Sequence, residues 1–280
     1  MRPILVVAVL LVAAPAAARD SLPKNLSQQE LVGYLKDGSE DARKEACKRL
    51  RDRGDSSVVP AIGETLRKDS SVKVRLECLE TLQKLGANPT SAAFVREAIL
   101  QDPDRRVREE ALDTLQDVDP QHGGDVAGKA LLSDKEYDVR KEACRVIERR
   151  AWRAAEPALA KVVADPVERP ELRRYCMHTL IASRTDAAYA VVHRVLREDN
   201  DEDVRREASE LIEHEPRASS LPPLCAALKD RSDRIAGNAA KGLRTLGKRD
   251  GAACLRAAAK DVRSDHLAHE MNQIASELER

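Results

Sequence analysis

The stretch Asp134-Lys135-Glu136-Tyr137-Asp138-Val139-Arg140-Lys141-Glu142-Ala143-Cys144-Arg145-Val146-Ile147 decides the fold, because the chain keeps rewriting it. Its frame is an Asp, five residues, an Arg, a small residue three positions on and an aliphatic four beyond that. The frame recurs as Asp69, Arg75, Cys78 and Leu82, as Asp102, Arg108, Ala111 and Leu115, and as Asp199, Arg205, Ala208 and Ile212. Looser copies begin at Asp37, Asp165, Asp230 and Asp261, so successive Asp positions lie 32, 33, 32, 31, 34, 31 and 31 residues apart. A fixed period in that range marks stacked repeats, each too small to bury its apolar face alone.

Within each period an apolar-periodic segment of about ten residues ends at the Asp, as in Val58–Lys68, Ala92–Leu100 and Ala187–Arg197. A short turn follows, and a second segment starts near the Arg. Its apolar residues fall at Arg−1, +3, +4 and +7, one stripe of a 3.6-residue helix. No segment alternates with period two, so the expectation is an all-α chain. The Arg+3 position holds only Ala or Cys (Ala46, Cys78, Ala111, Ala143, Cys176, Ala208, Ala239), which marks a place where backbones approach closely. Gly54, Gly86 and Gly123-Gly124 punctuate the exits of early repeats, where left-handed caps are expected. Asp69, Asp102, Asp134 and Asp199 each stand six residues before Arg75, Arg108, Arg140 and Arg205, which suggests a buried ladder of charge-assisted hydrogen bonds tying turn to helix. The Arg is lost at Ala236, as expected of a terminal repeat with no neighbour to bond.

Asp-x5-Arg on this period, with Val139 before Arg140 and Glu142-Ala143 after it, resembles the short HEAT-like repeat of phycobilin lyases and many bacterial proteins. The resemblance covers Gln28 to Leu278. It implies an α-solenoid, a right-handed superhelix of about eight two-helix repeats, whose second helices line a concave face where partners dock. The repeat serves scaffolds, adaptors and a few enzymes. The fifth repeat departs from the pattern: two extra residues, including Pro170, separate Asp165 from Arg173, and Tyr175 replaces the usual Glu. With Trp152 just upstream, a kink or wider gap is expected there.

Ahead of the repeats, Met1-Arg2-Pro3 is a short basic start, Ile4 to Ala14 an apolar run and Ala16-Ala17-Ala18 a small-residue cleavage pattern. These are the three parts of a secretory signal. The expected organisation is therefore a signal over 1–18, a short segment over 19–27 and the repeats over 28–280. An uncleaved membrane tether is the alternative. Either way the chain is expected outside the cytosol, periplasmic or secreted.

Six cysteines fall in neighbouring repeats as Cys47 with Cys78, Cys144 with Cys176, and Cys225 with Cys254. The first two pairs share an offset, Arg+4 in one repeat and Arg+3 in the next. Helix axes pack at roughly 8–10 Å with Cα atoms about 2.3 Å off axis, so facing Cα atoms come within disulfide range. An oxidising compartment would permit three bridges. The competing reading is that Cys simply fills a small core position.

Charged residues make up 34% of the chain yet balance at 48 against 48, and aromatics are only 2%, which argues against a nucleic-acid partner. His269-Glu270 is similar to the metal-binding dipeptides of deoxyhypusine hydroxylase, a HEAT-like di-iron enzyme. The equivalent slots, however, hold Lys44-Glu45, Glu109-Glu110, Lys141-Glu142 and Arg206-Glu207. No cofactor, metal or catalytic residue is expected. The function read from the sequence is a scaffold binding a protein, with a HEAT-like enzyme or cofactor-handling protein of the lyase type as the alternative. Positions Arg+1 and Arg+5 form its candidate face, and Lys141, Arg145, Arg149 and Arg174 make a basic stretch suited to an acidic protein segment. The chain is expected to be monomeric, with no membrane contact unless the signal stays attached.

Overall fold

In the computed structural model residues 22–280 are described, so the expected signal segment lies outside the described residues. Sixteen α-helices and three short 3-10 turns carry the regular structure, with no strand among the described residues. Contacts divide the chain into two compact units, one ending at Val118 and one spanning Asp119–Arg280. The first holds three helix pairs: α1 (Gln28–Asp37) with α2 (Glu40–Arg53), α3 (Val59–Lys68) with α4 (Val72–Leu85), and α5 (Pro89–Gln101) with α6 (Arg105–Val118). The second holds five: α7 (Gly124–Ser133) with α8 (Tyr137–Arg150), α9 (Glu156–Ala164) with α10 (Pro170–Ile181), α11 (Asp186–Glu198) with α12 (Glu202–His214), α13 (Leu221–Ala227) with α14 (Asp233–Leu246), and α15 (Gly251–Ala258) with α16 (Asp265–Glu279). Within each unit every helix packs on its pair partner and on its counterpart in the next pair.

Local chemistry explains where the helices start and stop. Ser27 and Glu30 form a reciprocal capping box on α1, and Asn88 caps α5 ahead of Pro89 at its first turn. The repeated Asp has two jobs at the end of the first helix. Its N–H closes the last turn, as from Asp69 to the Thr65 carbonyl at 2.9 Å and from Asp134 to the Ala130 carbonyl at 3.0 Å. Its carboxylate then accepts the N–H two residues on, from Ser71 at 2.8 Å, Asp104 and Glu136 at 2.9 Å, and Asp201 and Ser232 at 3.0 Å. That local ring turns the chain into the second helix, which is why Asp rather than Glu ends these first helices.

The core is the stripe read from the sequence. Val74, Val107, Val139 and Val204 at Arg−1, and Leu82, Leu115, Ile147 and Ile212 at Arg+7, are buried. Each such Leu or Ile contributes about 1.5–3 kcal/mol of apolar transfer energy. All seven Arg+3 residues, Ala46 to Ala239, are fully buried, and there is no room for larger side chains where second helices meet. The first helices have a tight spot of their own. A Cβ on Gly63 would sit 2.0 Å from the Phe94 ring, so the ring of α5 lies directly on the backbone of α3.

The left-handed turns differ from expectation. Gly86 has φ +81°, but Gly54 is extended, Gly123 is right-handed and Gly124 begins α7. The left-handed caps sit instead at Ala151 and Gly247. Ala151 holds φ 50° because the next residue, Trp152, is anchored: its indole Nε1 donates to the Pro120 carbonyl at 2.8 Å. On α16 Leu267, Met271, Ile274 and Ala275 are buried while Asn272, Gln273 and Glu277 are exposed.

Candidate functional site

Six of the second helices, α2 to α12, carry an Arg at the repeated position: Arg43, Arg75, Arg108, Arg140, Arg173 and Arg205. The sequence frame suggested a side-chain pair inside each repeat, Asp69 with Arg75 or Asp199 with Arg205. The structure corrects this. Four of these Arg return to their own turn through the backbone, with Nη1 donating to the carbonyl six residues earlier: Arg75 to Asp69 at 2.9 Å, Arg108 to Asp102 at 2.8 Å, Arg140 to Asp134 at 3.0 Å and Arg205 to Asp199 at 2.9 Å; Arg43 donates to the Gly38 carbonyl, five residues earlier, at 2.9 Å. The carboxylate gripped by Nε and Nη2 belongs to the following repeat. Arg43 takes Asp69 at 2.6 and 2.8 Å, Arg75 takes Asp102 at 2.7 and 2.9 Å, and Arg205 takes Asp230 at 2.8 and 3.2 Å. The reason is geometric: each Asp already caps its own turn, and its two oxygens open toward the preceding repeat. The result is a bidentate clamp across the seam.

The inserted residues of the fifth repeat shift this clamp. Arg140 grips Glu168 at 2.9 and 2.8 Å, while Asp165 only caps the turn at Val167. The longer Glu side chain spans the distance that the two extra residues open. Arg173 in turn donates to the Val163 carbonyl and to Asp199. At the other end of this helix pair a cavity of about 150 Å³ lies between Ile147, Trp152, Leu159, Thr179 and Ala182. The partner Asp69 raises the Arg43 pKa, and the partner Asp230 raises that of Arg205. At Asp230 burial pushes the carboxyl upward, but Arg205 and the Ser232 N–H outweigh it and leave the pKa lowered.

Within the second unit the seam after α14 lacks the clamp. Ala236 of α14 is buried and has a following repeat, α15–α16, so the explanation by a missing neighbour does not hold. Asp261, the residue an Arg there would grip, is exposed. At this seam the structure joins Cys225 of α13 to Cys254 of α15 by a disulfide, with Cα atoms 5.6 Å apart. Of the three pairs expected, this is the one closed. Cys47, Cys78, Cys144 and Cys176 are buried thiols.

The faces left open on the second helices are charged and differ from repeat to repeat. In the first unit Lys44 and Lys48 are exposed around a depression of about 440 Å³ lined also by Glu45, Arg49 and Arg51, with Glu77 in its wall. Burial and then the nearby Glu80 raise the Glu77 pKa, while Arg51, 2.9 Å away, pulls it back. In the second unit Lys141, Arg145 and Arg149 are exposed on α8 and Arg174 half-buried on α10. Sequence reasoning did not see their partners. Arg145 donates to Glu142 at 2.6 and 2.5 Å, Arg149 reaches the same carboxylate at 3.4 Å, and Arg174 lies 3.8 Å from Glu207. Tyr175, in the slot of the usual Glu, donates to Glu148 at 2.9 Å; burial and that carboxylate push its pKa up to about 12. Among the described residues no three His, Cys, Asp or Glu side chains are placed to hold a metal ion, and His269-Glu270 has no converging counterpart. No described helix is long and apolar enough to cross a membrane.

A family model of HEAT repeats matches residues 29–116, 125–213 and 195–270. The chain belongs to the HEAT-repeat family. No curated protein matches it. Among solved structures this HEAT-repeat chain is similar to the YibA protein of Escherichia coli, at 18% identity over 90% of this chain and 93% of that one, with a TM-score of 0.48. It is also similar to the CpcE–CpcF complex of phycocyanin lyase from Nostoc, at 15% identity, 92% and 97% coverage and a TM-score of 0.43. Human deoxyhypusine hydroxylase in complex with glycerol matches at 17% identity, 90% and 96% coverage and a TM-score of 0.39.

Proposed function

We propose that this chain is an exported HEAT-repeat scaffold that binds a protein partner along the open faces of its second helices and catalyses no reaction. One observation carries the reading. Positions Arg−1, +3 and +7 barely change between repeats, whereas the exposed and half-buried pair at +1 and +5 differs from one repeat to the next: Lys44 and Lys48, Leu76 and Glu80, Glu109 and Asp113, Lys141 and Arg145, Arg174 and His178, Arg206 and Glu210. A frame kept constant beneath a surface that varies by position is how a repeat protein reads a partner one repeat at a time. The ion pairs to Glu142 and Glu207 hold Arg145, Arg149 and Arg174 in place beside the exposed Lys141, a basic stretch that supports an acidic segment as the contact. Export rests on the basic, apolar and small-residue order of residues 1–18.

The test places a photo-crosslinking residue at Lys48, Glu80, Arg145 or His178 and, as controls, at the exposed first-helix residues Ala93 and Lys129. The reading expects adducts with one partner from second-helix sites and not from the controls. Equal labelling from both sets, or none from the second helices, contradicts it. N-terminal sequencing of the chain from the envelope fraction tests export, with Arg19 as the expected first residue.

A further inference from the structure

We propose that Cys47 with Cys78 and Cys144 with Cys176 close as disulfides when the chain folds against a low-molecular-weight disulfide, so that covalent links cross three repeat seams rather than one. The Cys47 and Cys78 sulfurs lie 3.0 Å apart, fully buried between α2 and α4. That contact places two thiols face to face in neighbouring second helices, 31 residues apart in the chain. The second pair repeats the same offset, Arg+4 on α8 and Arg+3 on α10: both thiols are fully buried, and Cys144 Sγ reaches across the seam to α10, 3.7 Å from Thr179 Oγ1, one turn from Cys176. Neighbouring repeats of this chain do approach closely enough for a bond, as Cys225 and Cys254 show in the first helices. The other five Arg+3 positions are Ala, so a cysteine is not needed there for packing. Four cysteines filling small positions at random would not be expected to fall in two neighbouring-repeat pairs with the same offset.

The chemistry balances as an exchange. One thiolate attacks the oxidant R–S–S–R, forming a mixed disulfide and expelling one thiolate RS⁻. The second cysteine thiolate then attacks the protein sulfur of that mixed disulfide, forming the S–S bond and expelling the second RS⁻. Two protons leave the cysteines and end on the two expelled thiols; the oxidant is reduced and the cysteine pair oxidised. Burial raises the Cys78 and Cys176 thiols well above their usual range. The exchange therefore belongs to the stage before each seam closes, and the finished bond is then shielded from reductant.

The experiment unfolds and reduces the full chain, refolds it in a glutathione redox buffer, and blocks free thiols under denaturing conditions. Tryptic digestion separates all four cysteines of the two pairs, since Lys48 and Arg145 follow Cys47 and Cys144 directly. Linked peptides Cys47–Cys78 and Cys144–Cys176, each lighter by two hydrogens than its separate parts, with no blocked cysteine left, are expected. Blocked thiols at either pair, or linkage of Cys47 to Cys144 or Cys176, overturn the proposal. Its outcome is independent of the crosslinking test, which does not read cysteine state.

Discussion

Two kinds of seam hold this molecule together. Between α4 and α6 a guanidinium and a carboxylate, both more than nine-tenths buried, grip each other with two short hydrogen bonds. Between the last two repeats the Arg is Ala236, and a disulfide joins the first helices instead. The clamp is directional and desolvated, so removing one partner leaves the other buried without its counter-charge. The disulfide acts mainly on the unfolded chain and asks little of its surroundings. One consequence is that each clamped seam depends on an intact electrostatic pair, while the last seam rests on its disulfide with no clamp beside it.

The comparison is broken most severely by removing half a clamp. Arg75→Met leaves Asp102 buried without its partner, and equilibrium denaturation should show a loss of about 3–5 kcal/mol, most of it recovered on adding Asp102→Leu. Replacing Cys225 and Cys254 by Ser should cost about 3–4 kcal/mol for a loop of this size. Hydrogen exchange should place that loss in α13–α16 and leave α1–α6 unchanged. The shifted clamp separates two carboxylates three residues apart. Glu168→Ala, which strips Arg140 of its partner, should cost about 1–3 kcal/mol, whereas Asp165→Ala, which loses only a turn hydrogen bond, should stay near 1 kcal/mol or below. Thermal melts of the two variants would rank them.

A pH dependence is expected away from either seam type. His193 is buried beside Ser220, 2.8 Å from its hydroxyl, and burial, then the nearby Arg197, lowers its pKa to about 4. Above its unfolded pKa near 6.5 the imidazole is neutral in both states and adds no pH dependence. As pH falls from there toward 4, only the unfolded chain takes up the proton, so stability falls by up to about 1.4 kcal/mol per pH unit. Denaturation at pH 7, 6 and 5 should show that slope reduced in His193→Gln.

How much of this the sequence carried depends on whether a feature repeats. The helix pairs, the apolar stripe and the small Arg+3 position recur on one period, so the two-helix repeat and its core were legible. The partner of each Arg was not, because an Asp six residues before an Arg looks like a local pair. Only packing shows that the local bond goes to the carbonyl while the carboxylate faces the previous repeat. The Glu168 substitution was hidden for the same reason: two extra residues slide the frame, and no rule of spacing says which acid then meets Arg140. The charges of the open face were visible, but Glu142, shared by Arg145 and Arg149, reads from sequence as one more solvated acid. Gly63 gave no signal, since its role exists only once the Phe94 ring is laid across it.

A double-mutant cycle tests the inter-repeat clamp most directly. Stability would be measured for Arg75→Met, Asp102→Asn, Asp69→Asn and the two combinations with Arg75→Met. The account predicts a coupling of at least about 2 kcal/mol between Arg75 and Asp102 and near zero between Arg75 and Asp69, whose contact with Arg75 runs through the backbone. Strong coupling to Asp69 with none to Asp102 would place the ladder inside each repeat and contradict it.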